Sequence, residues 1–89
     1  MKLYIRASES KPILDKVTTE WVETEDGSGI TFTIYSDSGE VVFEAVFDYD
    51  EVDSDAIYDS AIEMAMLSLS RQYDLTDSAI KAIEGADND

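Results

Sequence analysis

Apolar positions in this chain recur at every second residue in its first half and at every third or fourth in its second. Leu3 and Ile5 alternate with Lys2, Tyr4 and Arg6, a pattern that predicts a short strand over 2–7. A polar break follows at 8–12, and residues 13–17 fit either a helical turn or an extended entry into a sheet. Val17 to Thr24 is rich in β-branched and aromatic side chains and reads as a strand. The next five residues, Glu25-Asp26-Gly27-Ser28-Gly29, contain two glycines able to supply the positive φ of a chain reversal. Ile30, Phe32 and Ile34 alternate with Thr31, Thr33 and Tyr35, the signature of a half-buried strand. Asp37-Ser38-Gly39 predicts a three-residue hairpin loop with Gly39 left-handed. On the return, Val41, Phe43, Ala45 and Phe47 share one face, with Val42, Glu44, Val46 and Asp48 on the other. The last three strands make an antiparallel meander.

After Asp53 the period becomes helical. Tyr58, Ala61, Ile62, Ala65, Met66, Leu69 and Tyr73 would line one broad apolar face. Asp53 is the expected N-cap, and Val52 before it would meet Ile57 as a hydrophobic staple. Thr76 repeats the arrangement, with Leu75 set to meet Ile80 at the start of a shorter second helix. Gly85 is the expected stop, and residues 86–89 are expected to fray. The predicted class is α+β: a three- or four-stranded antiparallel sheet with two C-terminal helices packed on one face. Eighty-nine residues leave no room for a second core, so residues 1–85 are expected to form one domain. Eight Ile, with Trp21, Phe32, Phe43 and Phe47, supply its interior.

Charge changes this picture from a generic small domain to a specific question. Twenty-one Asp and Glu against six Lys and Arg give a net charge of −15. A small domain is comfortable at a magnitude of about 2–8, and self-repulsion beyond that opposes the compact state. The bases are confined to Lys2, Arg6, Lys11 and Lys16 at one end of the sequence and Arg71 and Lys81 at the other. Between Val17 and Ser70 there are fourteen carboxylates and no base. A hydrated coat that aids solubility explains a high carboxylate count but not that segregation.

The composition argues against catalysis and against cofactors. There is no His to move protons near neutrality and no Cys nucleophile or thiolate ligand. Carboxylate pairs occur by chance at this density and carry no weight as a glycosidase signature. Asp48, Asp50, Asp53, Asp55 and Asp59 offer hard oxygen ligands, but the calcium-loop pattern fails. Counting from Asp48, the sixth position is Asp53 where Gly is needed and the twelfth is Asp59 rather than Glu. The expectation is no metal and no cofactor. Direct binding to DNA or RNA is disfavoured as well, because phosphates need Lys and Arg. No apolar run approaches the ~18 residues of a membrane span. The apolar stretch within residues 1–6 is too short for a secretion signal, so a cytoplasmic setting is expected.

A surface that repels phosphates can instead meet a protein groove that attracts them. Asp55, Asp59 and Glu63 are spaced as a row on the first helix, about 6 Å apart. Glu40, Glu44 and Asp48 would form a wider row on the last strand, ~13 Å between neighbours at ~3.3 Å per residue. DNA phosphates fall about 3.4 Å apart along each strand's axis. The net charge, the length, the opening Met1-Lys2-Leu3-Tyr4-Ile5-Arg6-Ala7-Ser8 and the segment Asp48-Tyr49-Asp50-Glu51-Val52-Asp53-Ser54-Asp55 resemble the small acidic inhibitors of phages and other mobile elements. Anti-CRISPR and anti-restriction proteins, some of which imitate DNA, belong to that class. The resemblance implies a partner class: a nuclease or nuclease complex with a basic nucleic-acid site. Immunity proteins that neutralise basic nucleases fit the same physics.

The function expected is therefore a non-catalytic, stoichiometric inhibitor occupying that basic surface. Its expected partner-binding residues are Glu40, Glu44, Asp48, Tyr49, Asp50, Glu51, Asp53, Asp55, Asp59 and Glu63. Tyr49 and Tyr58 are candidate aromatic anchors, with Tyr58 fitting better on the helix's buried face. The alternative is an accessory interaction module using the sheet face or the helix pair to contact a non-nuclease partner.

Overall fold

A computed structural model describes residues 11–88. The expected strand over 2–7 lies outside the described residues. The elements run β1 (Ile13–Leu14), β2 (Val17–Glu23), β3 (Gly29–Ser36), β4 (Val41–Asp48), α1 (Ser54–Gln72), β5 (Asp74–Leu75) and α2 (Asp77–Glu84), then a 3-10 turn over Gly85–Asn88. Strands β2, β3 and β4 form the antiparallel meander, with β3 in the centre. Both helices follow the strands, α1 packing across β4 and α2 across β2. The α+β architecture read from the sequence is the one observed.

Alternation decides which strand residues face the helices. Trp21, Phe32 and Ala45 are opposite one another across the sheet, as are Thr19, Ile34 and Phe43. Phe32 and Ile34 are fully buried at the centre of this face. They pack in one core with Leu14, Phe47, Ile57, Ala61, Ala65, Leu69 and Ile83. Trp21 stacks on Phe32 with ring centroids 4.1 Å apart and meets Phe43's neighbourhood through the Phe32–Phe43 edge contact.

Three glycines are demanded by the geometry, among them Gly27 with φ +73° in the β2–β3 loop. Gly39 has φ +89° in the hairpin loop, as the Asp37-Ser38-Gly39 sequence predicts. Gly29 is needed for a different reason. It lies opposite Asp48, and a Cβ there would collide with the carbonyl oxygen of Phe47.

Within residues 13–17, Ile13 and Leu14 form a strand and Val17 opens the next one, with no helical turn between. Ile13 and Leu14 pair in parallel with Asp74 and Leu75, tying the start of the described chain to the link between the helices. The Thr76 hydroxyl caps α2 by accepting from the Ala79 N–H at 3.1 Å and donates to Asp15 Oδ1 at 2.8 Å.

Five details depart from the sequence reading. The ladder slips between Ile34 and Tyr35, whose partners are Phe43 and Val41, so Val42 is an extra residue. Val41 is thereby turned outward and 52% exposed, while Val42 packs on the core. The buried stripe of α1 is Ile57, Ala61, Ala65 and Leu69, and Tyr58 is 41% exposed beside it. Asp53 occupies the N-cap position without a side-chain bond; its carbonyl accepts from the Ala56 and Ile57 N–H groups. Gly85 is right-handed rather than a left-handed stop, and the chain continues into the 3-10 turn. Ala86, expected to fray, is buried and accepts a hydrogen bond from Trp21.

Candidate functional site

The meander register brings two separate acidic segments to one end of the molecule. Gly29 is opposite Asp48, and the Tyr49 N–H donates to the Ser28 carbonyl at 2.9 Å. The β2–β3 loop, carrying Glu23, Glu25 and Asp26, therefore sits beside the β4–α1 connection, carrying Asp48, Asp50, Glu51, Asp53 and Asp55. All of these are exposed except Asp48, which is half-buried. Among the described residues no Lys or Arg belongs to either segment. Lys16 precedes β2 at the hairpin end of the sheet, where Val17 pairs with Ser36. Arg71 closes α1, whose 19 residues carry the chain about 28 Å away at ~1.5 Å per residue. Lys11 is there too, its ammonium donating to the Ser70 carbonyl at 2.9 Å. Lys11, Lys16 and Arg71 thus stand away from the acidic end.

The two loops at this end are internally braced. Asp26 Oδ1 accepts from the Ser28 hydroxyl at 2.7 Å, the Ser28 N–H at 3.1 Å and the Thr24 hydroxyl at 2.9 Å. These donors, Ser28 first, hold the Asp26 carboxyl down to about 2. Asp48 Oδ1 accepts from the Asp50 N–H at 2.8 Å, and its carbonyl accepts from the Glu51 and Val52 N–H groups. The acidic turn thus has a fixed shape while its outer carboxylates stay in water.

Between the loops opens a cleft of about 450 Å³. Ile30 and Ile57, the least exposed of its lining residues, make the floor; Tyr49 and Tyr58 flank it, with Glu23, Asp53 and Ser54 around the mouth. The Tyr49 hydroxyl donates to Glu23 Oε2 at 3.4 Å. Partial desolvation, then the Glu23 charge, raises the Tyr49 phenol above its ordinary value. Tyr58 stands edge-on to Trp21 at 4.7 Å, so its ring is held from behind.

The ten residues expected to bind a partner do not form one surface. Tyr49, Asp50, Glu51 and Asp53 cluster at the acidic end, with Asp48 and Asp55 at its margins. Asp59 and Glu63 continue from Asp55 along the side of α1 opposite its buried stripe, so that row exists as drawn. The β4 row does not. Glu44 and Asp48 face outward from the sheet, but the bulge at Val42 puts Glu40 out of phase with them. Glu40 also pairs with Ser36 at the hairpin, the opposite end of the sheet from Tyr49.

Four carboxylates lie in or near the site that their positions in the sequence did not point to. Glu23 meets Tyr49, Asp26 organises the adjoining loop that also carries Glu25, and Glu20 lies across Thr33 from Glu44 on the outer sheet face. Glu20 accepts from the Tyr35 hydroxyl at 2.9 Å, and this bond, with the Glu20 charge, raises the Tyr35 phenol. Only the strand register reveals these neighbours. Among the described residues no three Asp or Glu converge as a metal-binding group, and no helix is long and apolar enough to cross a membrane.

No protein family, curated protein or solved structure matches the chain.

Proposed function

We propose that this protein is a stoichiometric, non-catalytic inhibitor whose acidic end occupies the basic nucleic-acid-binding surface of a nuclease or nuclease complex. The observation that carries the reading is the convergence of the 23–26 and 48–55 segments into one end that holds no base among the described residues. Eight carboxylates presented together create a field that steers a basic partner into contact and then competes with phosphates for the same groove. The row Asp55, Asp59 and Glu63 extends that field along α1. Glu44 and Glu20 belong to the sheet's outer face and would act at longer range; Glu40 is withdrawn from the binding set. Such a partner is met in the cytoplasm, the setting the reading requires.

The test is association kinetics against a basic nuclease at rising ionic strength, with the Asp50→Lys, Glu51→Lys, Asp53→Lys triple variant alongside. Steering predicts an association rate that falls steeply as the Debye length drops below ~8 Å, and a triple variant that folds but does not inhibit. A rate flat in salt, or inhibition that survives the triple reversal, overturns the proposal.

A second reading draws on apolar exposure. Met64 and Leu67 on α1 are 47% and 56% exposed, beside a shallow depression that also includes Phe43. An accessory module that contacts a non-nuclease partner through α1 would use this patch. It predicts binding that persists at high salt and is lost in Leu67→Asp.

A further inference from the structure

We propose that the cleft between Tyr49 and Tyr58 is a receptor for a single arginine side chain presented by the partner. Its chemistry differs from that of the surrounding acidic surface. A solvated carboxylate coat needs no cavity and no exposed aromatic rings, yet Tyr49 is 36% and Tyr58 41% exposed at the mouth of a cleft of about 450 Å³. Ile30 and Ile57 offer an apolar floor for the methylene stem of a long cationic side chain. The two phenol rings offer π faces to its planar head. Glu23 and Asp53, on opposite sides of the chain topology, offer acceptors at the mouth.

Two contacts prepare the site in advance. The Tyr49 hydroxyl engages one Glu23 oxygen and leaves the other available. Trp21 holds Tyr58 from behind at 4.7 Å, and its own indole is fixed by the bond to the Ala86 carbonyl. A planar guanidinium uses such an arrangement better than an ammonium, because it stacks on a ring and donates in its own plane at once.

This inference takes its partner from the inhibitor reading, but its test needs no partner and so fails separately. Trp21 is the single tryptophan of the chain and touches a wall of the cleft, which makes its emission a reporter of occupancy. The experiment titrates the protein with three blocked tripeptides, Gly-Arg-Gly, Gly-Lys-Gly and Gly-citrulline-Gly, at constant ionic strength. Expected is a saturable change in emission with the arginine peptide, at least about threefold weaker with lysine and absent with citrulline. Glu23→Gln should weaken arginine binding by about threefold or more, whereas Glu40→Gln, which removes the same charge at the far end, should leave it unchanged. Tyr49→Leu, remote from the core, is the second variant and should abolish the preference for arginine over lysine. Equal responses to arginine and lysine, a response to citrulline, or equal losses in Glu23→Gln and Glu40→Gln would overturn the assignment. Arginine binding without nuclease inhibition would leave the pocket standing and remove only the inhibitor reading.

Discussion

The Trp21 indole N–H donates to the carbonyl oxygen of Ala86 at 3.1 Å, joining β2 to the 3-10 turn across 65 residues of chain. Ala86 is 5% exposed, so its carbonyl has little access to water as a substitute partner. Replacing Trp21 by Phe keeps an aromatic ring on Phe32 but leaves that carbonyl unpaired. The expected cost is about 1–2 kcal/mol, read by denaturant titration followed by circular dichroism. Deleting residues 86–89 should cost more, since it also strips Ala86 from the core. An unchanged midpoint in both would mean that the closure of the C-terminal turn contributes nothing.

The glycines separate into those that geometry requires and one that it does not. Gly29→Ala drives a Cβ into the Phe47 backbone and should destabilise by about 2–4 kcal/mol. Gly39→Ala, at φ +89° with open space around it, should cost about 1–2 kcal/mol from backbone conformation alone. Gly85→Ala meets nothing within 4 Å and keeps a right-handed backbone. It should stabilise by about 0.4–1 kcal/mol. The order of the three midpoints is the measurement.

Asp26 gives a pH signature. Its folded carboxyl is held at about 2 against an unfolded 3.8. A depressed folded value means that its contribution is complete above 3.8 and is lost as pH falls through about 2. Carbon-13 titration of the side-chain carboxyl should show the low midpoint in the parent. Ser28→Ala should raise it most, because the Ser28 hydroxyl is the largest cause, and Thr24→Val by less. A midpoint near the ordinary value in the parent would mean that the loop bracing does not persist in solution.

Crowding eight carboxylates at one end opposes folding by mutual repulsion, and salt relieves it. Raising ionic strength to about 1 M, where the Debye length is ~3 Å, should raise Tm by roughly 5 °C, equivalent to about 1 kcal/mol for a domain of this size. The gain should be smaller in the Asp50, Glu51, Asp53 to Lys triple variant. Equal salt responses in the two would place the repulsion elsewhere.

Strand and helix positions were legible in the sequence because period and cap chemistry are local. Ile30, Phe32 and Ile34 alternate without ambiguity, Gly39 announces its turn, and Thr76 caps α2 with its own hydroxyl. What escaped was phase where two neighbours are both apolar. Val41 and Val42 are interchangeable on paper, so nothing betrayed the bulge that separates Glu40 from Glu44. Ile57 and Tyr58 compete for the same helical face, and only packing against the sheet chose Ile57. The 48–55 segment was visible as an acidic run, but its approach to Glu23, Glu25 and Asp26 depends on the register of two hairpins. Long-range pairing of that kind leaves no mark within either segment.

The meander has a further consequence through its outer strands. Only β3 is paired on both sides; among the described residues β2 and β4 each leave one edge unpaired within the three-stranded sheet. Bare edges with Val22, Val41 and Val46 nearby invite strand addition by another copy. The carboxylates of Glu20, Glu23, Glu44 and Asp48 make that approach repulsive, which gives the anionic surface a protective use beside recognition. That shield vanishes at the isoelectric point near 4.1, and acidification to that value should convert a dispersed protein into one that assembles edge to edge.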